Sequence, residues 1–179
     1  MSQYPDEPSD GYLSDVIPFE YTAAIGEIFS KWALLEHEID VMIWDLAGLS
    51  DTPKIGACLT GQYVSIAARF SALIALARIR GASGFQLAKL NKFKEHVLGL
   101  AERRNRVAHD PSLTTWDLKT SPLSAKTYRL HKTARSKLEY TLKPIDLSEL
   151  RSLREEIDNT LTNFGGLALD PSLAPYEVR

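Results

Sequence analysis

Apolar residues recur every three or four positions through Ile25, Phe29, Trp32, Leu35, Ile39, Met42, Ile43 and Leu46. That rhythm puts a single apolar stripe along a long helix, and such a stripe must be buried against other elements. The same period returns at Ile66, Phe70, Leu73, Ile74 and Ala77, then at Leu90, Phe93, Val97, Leu100 and Val107. It returns again at Leu147, Leu150, Leu153, Ile157, Leu161 and Phe164. Four amphipathic helices are therefore predicted. The first starts just after Pro18, since proline suits a first turn, and ends near Gly48. The second covers about 60–80 and the third about 85–108. The fourth opens after Pro144 with Asp146-Leu147-Ser148-Glu149, a capping pattern, and stops at Gly165-Gly166. Residues 49–58 read as a loop around Asp51-Thr52-Pro53 and Gly56. Helices joined by short links predict a mainly all-α fold, an antiparallel bundle of about four helices. Trp32 and Trp44 read as packing residues of that bundle.

Between Leu113 and Ile145 the helical period is lost. Thr115–Leu118, Thr127–His131 and Leu138–Leu142 are aromatic or β-branched with alternation, so a small β-hairpin or three-strand insertion is predicted between the third and fourth helices. Its charge is lopsided. Residues 119–143 hold seven basic side chains against Glu139 alone, whereas the whole chain carries a net charge of −2. Concentrated positive charge on one flap suits a polyanion such as a nucleic acid, and Lys126, Arg129, Lys132 and Arg135 are the candidate phosphate-backbone contacts there.

At 179 residues the chain is long enough for one domain with a proper core, placed at 18–166. It is flanked by a flexible acidic tail over 1–17 and a second tail over 167–179. The one cysteine, Cys58, has no partner for an internal disulfide and reads as a small buried apolar residue. No apolar run reaches bilayer length and no basic-then-apolar leader is seen, so a cytoplasmic protein without membrane contact is expected. The four histidines, His37, His96, His109 and His131, are dispersed without metal-ligand spacing, so no metal or other cofactor is expected.

The chemistry-bearing stretch is Ala101-Glu102-Arg103-Arg104-Asn105-Arg106-Val107-Ala108-His109-Asp110-Pro111. At position 104 the stripe calls for an apolar residue and the sequence supplies arginine, costly to bury unless it is paired. Asn105 and His109 are four apart and share a neighbouring face. Asp110-Pro111 then stops the helix, because a residue before proline is pushed out of the helical region. A charge, an amide and an imidazole thus gather at the last turn of a helix.

This Arg-x4-His spacing, with asparagine after the arginine, resembles the HEPN family of small all-helical domains. The resemblance rests on Arg104, Asn105 and His109 and extends over the chain only as a helical pattern. It implies a metal-independent RNA endonuclease, of toxin or defence type, built as a homodimer whose two motif helices form one composite site. In that picture His109 transfers protons, Arg104 clamps the scissile phosphate and Asn105 orients the site. Arg103 and Arg106 help to hold phosphate. The resemblance also implies a neutralising, antitoxin-like protein as a partner.

Two further readings stay open. Arg104 can be a core arginine paired with Glu36 of the first helix, and His109 can serve as an imidazolium at the negative end of the helix dipole. HEPN-like domains that have lost catalysis act as dimerisation or nucleotide-binding modules, and such a module is the alternative function. His96 and His131 read as solvated side chains.

Overall fold

Pro18 opens the first helix as expected. In the computed structural model α1 runs Phe19–Ala47, and Gly48 closes it with φ +73, a left-handed conformation that glycine adopts at no steric cost. The structure describes residues 12–14, 16–110, 112–117, 124–134 and 138–168, with the backbone alone for 12–14, 116–117, 124, 131–134, 138–141 and 168. The described chain is mainly helical, with a small antiparallel sheet. After α1 come α2 (Pro53–Thr60), α3 (Ile66–Ile79) and α4 (Gly84–His109). Three strands follow, β2 (Ser112–Asp117), β3 (Ser124–Ala134) and β4 (Leu138–Pro144), and then α5 (Leu147–Ala168). The insertion therefore lies between the two helices that sequence reasoning placed around it.

Two compact units divide the chain. One comprises residues 1–28 and 104–154, the other 29–103 and 155–179, so α1, α4 and α5 each contribute to both. In the second unit the apolar stripes are buried. Trp32, Leu35, Ile39 and Ile43 of α1, Phe70 and Leu73 of α3, Leu90 and Val97 of α4, and Ile157 and Phe164 of α5 are all almost fully removed from water. Phe93 of α4 joins the helices, its ring 6.1 Å from that of Phe70 and 5.4 Å from that of Phe164, in tilted pairs. Asp40 and Arg69 form an ion pair at 2.9 Å with their side chains only 15% and 16% exposed, fastening α1 to α3.

Four details depart from expectation. The predicted loop at 49–58 contains α2: Pro53 occupies its first turn, and Trp44 Nε1 donates to Thr60 Oγ1 at 3.2 Å across its inner face. Only Gly56 and Thr60 of α2 are buried, so Cys58 is exposed on its outer side instead of filling the core. Gly165 and Gly166 continue α5 to Ala168, because neither takes the positive φ that would end it. Finally, Tyr12–Ser14 of the expected acidic tail form a strand, β1.

In the first unit the sheet order is β1-β2-β3-β4, all antiparallel, so β3 lies between β2 and β4. Arg129 of β3 is opposite Ser112 of β2 and Lys143 of β4. Ile145 N donates to Thr127 O at 2.8 Å, carrying the chain from the sheet into α5. Asp146 then caps α5, its Oδ1 accepting from Ser148 N at 2.8 Å. Tyr21 OH donates to Ile145 O at 3.4 Å, and Arg154 pairs with Glu27 at 3.4 Å.

Candidate active site

The motif is carried on the last turns of α4, a helix of 26 residues. Its start is set by a reciprocal cap that sequence reasoning passed over. Ser83 N donates to Gln86 Oε1 at 2.6 Å, and Gln86 N donates to Ser83 Oγ at 3.3 Å. The signal was present as a serine followed three residues later by glutamine. The helix ends at His109, just ahead of Asp110-Pro111, and Asp110 N still donates to Arg106 O at 3.1 Å.

Arg104 is half-buried, while Asn105 and His109 are exposed. Arg104 Nη1 donates to Asn105 Oδ1 at 2.8 Å. The contact uses the reach of the arginine stem, since neighbours in a helix otherwise point apart. Asn105 is one turn before His109. The exposed imidazole makes no hydrogen bond or ion pair among the described residues. A guanidinium with its fork partly fixed by a neighbouring amide and an exposed imidazole thus share the end of one helix. Such a set can bind an anion and exchange a proton with it.

The surrounding charges are divided. Arg103 pairs with Glu156 of α5. Arg106 is exposed. Arg129 is half-buried, and burial holds its guanidinium below the usual arginine value. The Asp110 and Glu149 carboxylates oppose that shift, and Arg106 adds to it. Arg129 thus sits among groups from the end of α4 and the first turn of α5. On β3 successive side chains alternate faces, so Lys126, three residues earlier, is on the other face, and it is exposed. Lys132 belongs to β3 opposite Tyr140, but its side chain lies outside the described residues, as does the whole of Arg135. Glu36, expected as the ion-pair partner of Arg104, is half-buried on α1 and makes no ion pair among the described residues.

Among the described residues no three His, Cys, Asp or Glu side chains are grouped so as to hold a metal ion. No described helix is long and apolar enough to cross a membrane. Compared with known protein families, curated proteins and solved structures, the chain matches none.

Proposed function

We propose that this chain is a HEPN-like RNA endonuclease that works without a metal ion. The observation that carries the reading is the Arg104–Asn105 contact at 2.8 Å one turn before an exposed His109. The reaction asks little more of the protein. The 2'-hydroxyl oxygen of the substrate attacks the adjacent phosphorus, and the bond to the 5'-oxygen breaks. One proton leaves the attacking oxygen and one reaches the leaving oxygen, leaving a 2',3'-cyclic phosphate. An imidazole, which can both accept and donate a proton, suits both transfers. The phosphoryl oxygens gain charge in the transition state, and the Arg104 fork, held by Asn105, meets it with paired donors. Exposed Lys126 and Arg106 favour the RNA backbone without reading its sequence.

One motif per chain makes half of a composite site, so the reading includes a two-fold homodimer. A cytoplasmic setting and an antitoxin-like partner belong to the same reading. The second reading, an inactive helical dimerisation or nucleotide/RNA-binding module, draws on one feature: among the described residues nothing orients the His109 ring, as catalysis would require. The deciding experiment is cleavage of mixed structured and unstructured RNA in excess chelator, with end-group analysis and sedimentation in parallel. Cleavage leaving 2',3'-cyclic phosphate ends, by a dimer, is expected. A dimer that binds RNA without cutting it would favour the module, and a monomer at high micromolar concentration would remove the composite site.

A further inference from the structure

Away from the motif, α4 and α5 enclose an open groove of about 600 Å³, lined by Lys89, Lys92, Phe93, His96, Asn163 and the Gly166–Leu167 turn. Its size falls within the ~300–1,000 Å³ usual for small-molecule sites. Lys89, Lys92, Phe93 and His96 recur at helical spacing and so share one face of α4. Phe93 is half-buried, with Phe70 and Phe164 packed beside it, and together with Leu167 it supplies an apolar floor.

The state of His96 follows from its partner. Thr160 is 2% exposed, and its Oγ1 donates to Glu156 O at 2.7 Å. A hydroxyl has one proton, so at its 2.9 Å contact with His96 Nε2 the threonine oxygen accepts. Nε2 therefore carries hydrogen, and the ring is fixed by a bond to a buried atom. Nδ1 is the nitrogen left for a ligand, an acceptor when the ring is neutral and a donor when it is charged. This is an oriented imidazole, unlike a freely solvated one.

Charge decides which ligand. The last turn of α5 forms part of the wall, and its carbonyls present roughly half a negative charge. One ammonium offsets that. The second lysine and the imidazole remain, and among the described residues no acidic side chain lines the groove. Lys89 is steadied as well, its Nζ 4.9 Å from the centroid of the exposed Phe85 ring. We propose that the groove binds a phosphate monoester carried on a flat, apolar body of mononucleotide size. The phosphate meets Lys89, Lys92 and Nδ1 of His96, the flat body rests on Phe93 and Leu167, and Asn163 offers its amide to a polar edge.

The test is titration of the full chain with 5'-AMP, adenosine and inorganic phosphate, followed by calorimetry and by the ring resonances of His96. It does not depend on RNA cleavage, so it stands or falls apart from the nuclease reading. AMP should bind and move the His96 resonances, with adenosine and inorganic phosphate each roughly tenfold weaker or more, the size of one lost charge-assisted bond. Lys89→Glu with Lys92→Glu should abolish binding, and His96→Asn should weaken it. All three side chains are exposed, and unchanged circular dichroism would show that the fold is kept. A 5'-phosphorylated RNA tetramer binding better than AMP would identify an RNA end as the source of the monoester, and AMP alone binding would identify a free nucleotide. Silence of His96 at millimolar AMP, equal binding of phosphate and AMP, or undiminished binding by the double lysine variant would each overturn the proposal.

Discussion

Arg104 and Asn105, neighbours in sequence, are joined through their side chains: Nη1 of the arginine donates to Oδ1 of the asparagine at 2.8 Å. The bond fixes one edge of a half-buried guanidinium and spends one of the amide's acceptor sites. It gives the asparagine a definite task, to hold the arginine, and leaves the amide nitrogen for another partner. The motif is thus a coupled pair followed one turn later by a separate imidazole, and the three positions should respond differently to substitution.

If the site cleaves RNA, His109→Ala should lower kcat by roughly 10²–10⁴-fold, the usual worth of general acid–base catalysis. Stability should change by no more than ~0.5 kcal/mol, because the ring is exposed. Arg104→Ala should lose a comparable factor together with some stability, since its stem is half-buried. Asn105→Ala should cost less than either, acting only through the arginine. Single-turnover rates and thermal melts of the three variants measure this. A His109→Ala protein as active as wild type would end the assignment.

Arg129→Met should change stability by no more than about 1 kcal/mol, because the burial that disfavours the cation offsets its attraction to the Asp110 and Glu149 carboxylates. Asp110→Asn should cost less when added to Arg129→Met than when made alone, whereas additive effects in urea unfolding would show that the two groups are not coupled.

Acid should remove the contribution of the α5 cap. Asp146 is held below the ordinary aspartate value by the Ser148 backbone and side chain. Its folded carboxyl is thus a stronger acid than its unfolded one. The contribution is complete above the unfolded value and is lost as pH falls through the folded value. The difference in melting temperature between wild type and Asp146→Ala should therefore be clear at neutral pH and shrink as pH falls below the ordinary aspartate range. A difference independent of pH would contradict the cap.

Gly56→Ala tests the short helix. A Cβ there would stand 2.6 Å from Trp44 Cγ, so the indole must move and strain its bond to Thr60. Overpacking of this kind typically costs ~1–3 kcal/mol. A chemical-denaturation midpoint equal to wild type would show that Trp44 gives way freely.

What the sequence determined by itself is what depends on near neighbours. A stripe at helical spacing needs no knowledge of its partner, so α1 began after Pro18 and ended before Gly48 as read. The five residues assigned to the inner face of α3 are the five that are buried there. The break ahead of Pro111 and the strands after it are local in the same way. The candidate site was legible to the extent that Arg104, Asn105 and His109 share the end of one helix. Tertiary structure decided whatever needs a partner from elsewhere in the chain. β1 exists because β2, some hundred residues later, offers it an edge. Trp44 meets the inner side of α2 and leaves Cys58 outside. Arg129 became half-buried among Asp110, Glu149 and Arg106 because β3 pairs opposite Ser112, just past the end of α4. His96 gained a fixed proton because a buried threonine on α5 had already donated its own. Periodicity reports that a side chain faces inward; only the packed chain decides what it faces.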